Sequence, residues 1–249
     1  MPTLEALHDV YRDHYSGARP GGVETRIAEI VRGFSPRRST GRLLDVGFGA
    51  GLILDAGRRA GWIVSGTELS SSAVAAAAAR GLDVVLGSLE EARFPEGAFD
   101  VVTVAEVLEH LIDPLSLLLE VRRVLRPGGL LWATTPHASG LSARILGTRW
   151  SVVSPQEHVQ LFTTAGMRSL LHRAGFRDLR LVLHGVNPYE IVSHFRGGAR
   201  IGGEERTRTS QELNEYFSVS RSRTALKTAA NTLLSLLRLG DSMKIRATA

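Results

Sequence analysis

The chain has 249 residues, 43% hydrophobic and 22% charged, with near-neutral mean hydropathy, which suits one α/β domain with a proper core. It has no cysteine, so disulfides, thiolate metal sites and a cysteine nucleophile are excluded. The net charge of +5 is almost all arginine, since Lys227 and Lys244 are the only lysines; this excess suits an anionic substrate and is too diffuse to argue for nucleic acid. No segment approaches ~18 uninterrupted apolar residues and the N-terminus has no apolar signal core, so the expectation is a cytoplasmic protein with no membrane span.

Residues 1–22 are polar and aromatic, with Tyr11, His14 and Tyr15 close together. They read as a helical cap on the sheet or as a lid over a ligand. Val23 to Phe34 has the spacing of an amphipathic helix, with Ile27, Ile30, Val31 and Phe34 on one face, and Ser35-Pro36 ends it. Arg42 to Val46 then reads as a buried strand and Leu52 to Ala60 as a helix. Between them Gly47, Gly49 and Gly51 make a turn with few side chains in the way, where backbone can approach a ligand and the next helix can point its N–H groups at it.

Trp62 to Thr67 is a second strand, ending at Glu68. One carboxylate there can accept from both hydroxyls of a ribose; the plainer alternative is a helix-capping acid before Ser70-Ser71-Ser72. Ser71 to Arg80 is a helix, Asp83 to Leu86 a third strand, and Val101 to Ala105 an apolar run expected to be a central parallel strand. Asp113-Pro114 starts a helix as N-cap and first residue, which Pro127-Gly128-Gly129 stops before a fifth strand, Leu130 to Thr135. Thr163 caps a further helix with Met167, Leu170 and Leu171 on its apolar face, and Asp178 to His184 is a sixth strand. Gly197 to Thr209 reads as a mobile polar loop, Gln211 to Phe217 and Thr224 to Leu239 as helices, and Met243 to Ala247 as a last strand.

Asp45-x-Gly47-x-Gly49-x-Gly51 resembles the first motif of class I S-adenosylmethionine (SAM) dependent methyltransferases. Phe99-Asp100-Val101-Val102, Glu106-Val107-Leu108-Glu109-His110 and Leu125-Arg126-Pro127-Gly128-Gly129-Leu130 extend the resemblance to the small-molecule branch, similar to ubiquinone-type O-methyltransferases and to sugar and natural-product methyltransferases, over Gly41 to Leu183. The resemblance implies an α/β fold: a Rossmann-like seven-stranded sheet with helices on both faces and an antiparallel seventh strand. The chain would divide into an N-terminal cap or lid (1–40), a cofactor core (41–184), a helical insertion (185–240) and the final strand (241–249). It also implies SAM as cofactor, with Asp45, Gly47, Phe48, Gly49, Gly51, Glu68, Leu69, Ser88, Leu89, Ala105 and Glu106 around it. Ser88 departs from the aspartate often found there to accept from the adenine amino group; a hydroxyl can make the same bond more weakly.

Methyl transfer to a hydroxyl needs alignment and a proton acceptor. His158, His137 and His110 all follow the carboxyl edge of the sheet and are the candidate bases; an ordinary histidine titrates near ~6.5. Each has a structural alternative, bonded to backbone. No His/Asp/Glu set stands at ligand spacing, so metal independence is expected. Where amino-group methylases of nucleic acid carry Asn-Pro-Pro-Tyr, this chain has Ala105-Glu106-Val107-Leu108. The expected acceptor is a small molecule: a hydroxyl of a nucleotide- or lipid-linked sugar or natural product, then a phenol or quinone precursor. A catalytically silent SAM-binding scaffold is the alternative of another class. The insertion, with Leu226, Ala230, Leu233, Leu234 and Leu237 on one side of its last helix, reads as a packed cap or homodimer surface, or as a basic amphipathic face for peripheral membrane contact.

Overall fold

The computed structural model describes residues 23–249; the tyrosine-bearing segment read as a cap or lid lies outside them. In chain order, α1 (Val23–Arg32) is followed by β1 (Arg42–Val46), α2 (Leu52–Arg59), β2 (Ile63–Glu68), α3 (Ser71–Ala78), β3 (Asp83–Leu86) and the single turn α4 (Leu89–Ala92). Then come β4 (Phe99–Ala105), α5 (Pro114–Val124), β5 (Leu125–Pro136), α6 (Leu141–Leu146), α7 (Thr164–Arg173) and β6 (Arg177–His184). α8 (Pro188–Phe195), α9 (Gly203–Ser218) and α10 (Arg221–Leu236) separate β6 from β7 (Ser242–Thr248).

The strands form one sheet in the order β3-β2-β1-β4-β5-β7-β6, with β7 antiparallel to both neighbours and the other pairings parallel. Successive side chains on a strand face opposite ways, and this sorts the core into two. Leu43, Val101, Leu130 and Trp132 pack with Phe34, Leu54 and Ala77 on one face. Leu44, Val102, Leu131 and Ala133 pack with Leu118, Val121 and Leu171 on the other. Strand order reverses between β1 and β4, which opens a crevice at their carboxyl ends where ligands bind in such sheets.

Asp100 ties the opposite edge together. Its carboxylate is fully buried and accepts from the N–H groups of Ser39 (2.9 Å) and Gly41 (2.7 Å) and from Arg126 Nε (2.5 Å). Burial alone would raise its pKa, but these donors outweigh it and hold the carboxyl below the usual carboxylate range.

Two sequence expectations are corrected, and a third is left open. The fifth strand begins at Leu125, not Leu130: Leu125 pairs with Phe99 and Leu130 with Val101, so residues 126–129 form a bulge rather than a helix stop. Residues Gly203 to Thr209, read as loop, belong to α9. Their glutamates and two arginines are adequate helix formers, and Asn187 Nδ2 secures the first turns by donating to Thr209 Oγ1 at 2.9 Å. Leu226, Leu233 and Leu237 of the last helix are exposed, while Leu234 is half-buried, so its apolar side is only partly covered.

Asp100→Ala is expected to cost about 3–5 kcal/mol at neutral pH, because it leaves Arg126 and two amides without their acceptor. Asp100 has a folded-state pKa below its unfolded value, so its contribution is present above ~3.9 and lost as pH falls through the folded value. Urea unfolding of both proteins at pH 7 and pH 3 checks this: the difference should shrink at the lower pH.

Candidate functional site

The turn between β1 and α2 has Gly47, Gly49 and Gly51 all in the left-handed region, at φ 66°, 50° and 72°. A Cβ on Gly47 would come within 2.6 Å of Val107 Cγ2, so Gly47 is closed against the chain that follows β4. A Cβ on Gly49 would meet nothing within 4 Å, so the crest of the turn faces open space. Phe48 is buried and lies against the Gly66 backbone, which leaves the backbone of the turn as its outer surface.

Glu68, at the carboxyl end of β2, braces this turn. Its Oε2 accepts from the Gly49 N–H (2.9 Å) and its Oε1 from the N–H groups of Leu69 (2.7 Å) and Ser70 (3.1 Å). Asp45 is buried beneath the turn, paired in register with Thr103 of β4, whose Oγ1 donates to Asp45 Oδ1 at 2.6 Å. Burial pushes the Asp45 pKa up to about 7; the Thr103 bond pulls down and the charge of Glu68 pushes up. Thr103 is the hydroxyl that interrupts the run Val101–Ala105, and that interruption is the sequence signal for it.

Ser88 is the N-cap of α4 in a capping box: its Oγ accepts from the Glu91 N–H (3.2 Å) and its own N–H donates to Glu91 Oε2 (2.7 Å). The hydroxyl oxygen has a second lone pair for another donor. Leu89 beside it is buried. Ala105 ends β4, and Glu106 follows in the left-handed region at φ 53°, a conformation costly for a glutamate and concentrated at functional sites.

The three histidines separate. His137 is buried, its Nδ1 bonded to the Gly240 carbonyl (2.9 Å) and its N–H to Asp241 O (2.8 Å), which joins β5 to the start of β7. Burial holds its pKa below the ordinary value. His110 and His158 come together, with ring centroids 4.7 Å apart. The stretch 152–162 passes over the ends of β4 and β5 to bring this about. It is held by Gln160 N–H to Glu109 O (3.3 Å), by Gln160 Nε2 to Leu111 O, and by the Ala138 N–H to Phe162 O (2.9 Å). His110 Nδ1 donates to Glu157 O (2.7 Å) and His158 Nδ1 to Val152 O (2.7 Å), which leaves the lone pair of a neutral His158 on Nε2. Burial, chiefly, pushes the His110 pKa down to about 4.

Glu109, which the sequence reading gave no role, completes this group. It is fully buried, one oxygen accepts from Thr135 Oγ1 (2.9 Å), and the other has no hydrogen-bond partner. Burial, then the charge of Glu106, push its pKa up to about 9. Glu109, His110 and His158 each offer one ligand atom within 4.8 Å of the others, so this is the set among the described residues that could hold a metal ion. The spacing of Glu109-His110 from His158 conceals the set in the sequence; only the strap over β4 and β5 assembles it.

Comparison with known proteins agrees with the fold. The methyltransferase-domain family model matches residues 21–181, more than half of the chain. A Mycolicibacterium smegmatis protein named "Probable S-adenosylmethionine-dependent methyltransferase" is 34% identical over 155 residues, covering 61% of this chain and 57% of its own. A ubiquinone biosynthesis O-methyltransferase of Thiobacillus denitrificans is 38% identical over 108 residues, 41% of this chain and 47% of its own. The chain thus spans about half the length of the curated relatives it matches. In fold, the chain is similar to a SAM-dependent methyltransferase from Archaeoglobus fulgidus (TM-score 0.60, 17% identity, 91% of this chain and 94% of that one). It is also similar to Haemonchus contortus phosphoethanolamine N-methyltransferase 2 in complex with SAM (TM-score 0.59, 22% identity, 92% and 53%).

Asp45 has a folded-state pKa raised above its unfolded value, so the wild-type protein loses stability as pH rises from ~4 to about 7 while the unfolded chain ionises and the folded one does not. Asp45→Asn removes that titration. In urea unfolding of the unliganded proteins, the stability difference should move in the variant's favour between pH 4 and pH 8. A difference independent of pH would contradict the raised value.

Proposed function

The chain belongs to the methyltransferase-domain family; we propose that it is a SAM-dependent enzyme that methylates a hydroxyl of a small molecule, a nucleotide- or lipid-linked sugar or a natural product, with His158 as general base. The observation that carries the base assignment is His158 itself: its Nδ1 is fixed by a backbone carbonyl and its Nε2 lone pair sits in the strap over the carboxyl ends of β4 and β5. His110, held near pKa 4, is too weak a base, and His137 is occupied in joining β5 to β7. A relative named as a ubiquinone biosynthesis O-methyltransferase supports oxygen as the acceptor atom and keeps a phenol or quinone precursor as the nearest alternative.

The residues fit the cofactor. The Gly49 crest, with no room taken by a side chain, lets backbone approach it closely, and Glu68 at the end of β2 supplies a carboxylate for the ribose hydroxyls. Asp45, Phe48, Leu69, Ser88, Leu89, Ala105 and Glu106 are assigned to the same site by the methyltransferase resemblance. SAM supplies an activated methyl group on a positively charged sulfonium. Asp45 behind the turn favours a cation in front of it, and that cation in turn favours the ionised carboxylate. Transfer to oxygen neutralises charge, so the protein's work is alignment and removal of the hydroxyl proton, which His158 Nε2 accepts. Cytoplasmic location, homodimer formation and peripheral membrane contact belong to the same proposal; no helix among the described residues is long and apolar enough to cross a membrane.

A second reading is favoured by the convergence of Glu109, His110 and His158. A divalent cation held there would lower the pKa of an acceptor hydroxyl and would pair the buried, partnerless oxygen of Glu109.

Glu68→Ala is expected to raise the SAM dissociation constant at least ~10-fold, the scale of one charge-assisted hydrogen-bonding group. Unchanged affinity in calorimetry would remove the ribose role. His158→Gln should lower turnover by ~10²–10⁴-fold with SAM affinity nearly intact. The reaction is to be run on candidate sugars and phenols, with and without a chelator. Activity that survives chelation supports the base reading. Activity lost to the chelator and restored by a divalent ion supports the metal reading.

A further inference from the structure

A second cavity, of about 540 Å³, lies beyond the histidines, between the β6–β7 edge and the helices of the insertion. Its floor is His184 and Ser242, paired across β6 and β7. One side is cationic, with Arg26 from α1 and Lys227 from α10, and Lys244 stands beside them on β7. Leu213 and Phe217 of α9 and Leu234 of α10 add apolar surface, and Arg206, Ser210 and Asn231 complete the helical part of the lining.

Both lysines of a chain that otherwise uses arginine are gathered here. Asp241 is the carboxylate on the cavity wall, and its two oxygens already accept from the Ser142 N–H (2.9 Å) and Oγ (2.6 Å). Among the described residues, Arg26 and Lys244 form no ion pair with an acid. His184 Nε2 is buried with no hydrogen-bond partner. The charges also crowd one another. Burial, then Arg26, Lys227 and Arg246, push the Lys244 pKa down to about 8; burial, then Lys244, Arg26 and Lys227, push His184 to about 3. A half-buried cavity wall that gathers cations against their mutual repulsion is stabilised by an anion placed among them.

We propose that this cavity binds a phosphate-bearing ligand, with the phosphate among Arg26, Lys227 and Lys244 and an apolar portion against Leu213, Phe217 and Leu234. A lysine ammonium is a compact point charge of the kind that holds phosphate, and two of them with one guanidinium match a phosphate's double charge. The volume suits a small ligand. The apolar side chains in the same lining distinguish a phosphate ester from a bare ion. The site stands independently of which group accepts the hydroxyl proton, since none of its residues belongs to the histidine cluster.

The test is direct binding to the full chain at constant ionic strength. Titration with sodium pyrophosphate should be saturable, and at least ~10-fold weaker in the Lys227→Gln/Lys244→Gln double variant and in Arg26→Gln. Without ligand, the double variant and Arg26→Gln should each keep a cooperative melt and the wild-type far-UV circular dichroism; that readout separates loss of binding from loss of fold. Flotation with phosphatidylcholine vesicles, with and without phosphatidic acid, tells the source of the phosphate. Capture by phosphatidic acid that pyrophosphate competes away assigns it to a lipid headgroup. Pyrophosphate binding without capture assigns it to a soluble phosphate ester. Absence of binding to both probes, or binding that all three substitutions leave unchanged, overturns the proposal.

Discussion

The carboxyl edge of the sheet depends on one carboxylate. Glu68 accepts three backbone N–H groups, one from the crest of the glycine turn and two from the chain leaving β2, and so fixes two loops from neighbouring strands relative to each other. Those donors would otherwise be unpaired at the mouth of a ligand cleft, where each would cost ~1–3 kcal/mol if desolvated. Gly47, closed against Val107, sets the third side from β4. The cleft is therefore shaped by backbone and one acid, with little dependence on flexible side chains.

The edge buries ionisable groups whose charged forms folding alone does not favour. Asp45 and Glu109 are buried acids with raised pKa values, and His110 is a buried base with a lowered one. The charged forms of the two acids would be favoured by a ligand of the right sign: a cation before Asp45, a metal ion beside Glu109. Perturbed groups of this kind concentrate at functional sites. The opposite edge is arranged differently. There Asp100 has its donors within the fold, and its lowered pKa is a statement about stability rather than function.

Much of this was legible in the sequence. The glycine spacing, Glu68 after a strand, Asp113-Pro114 and Thr163 each specify local geometry through one residue's chemistry, and the strands they bound appear within a residue or two of where they are expected. What escaped depends on contacts between distant segments. The bulge at residues 126–129 arises because Leu125 already pairs with Phe99, which no local pattern records. The start of α9 depends on Asn187, some twenty residues earlier. The approach of His158 to Glu109 and His110 needs the strap, whose bonds run from Gln160 and Glu157 to the end of β4. The leucines of α10 follow a helical period, yet period alone does not say whether a partner covers them.

The measurement that bears most directly on the account is the proton balance of cofactor binding. SAM carries a net positive charge, and the carboxyl of Asp45, with a pKa of about 7, lies buried behind the glycine turn proposed to hold it. Calorimetric titration with SAM at pH 7, in two buffers of different ionisation enthalpy, should show release of a fraction of a proton, and Asp45→Asn should abolish it. Binding with no proton release, or with the same release in the variant, would contradict the coupling between the glycine turn and the acid beneath it.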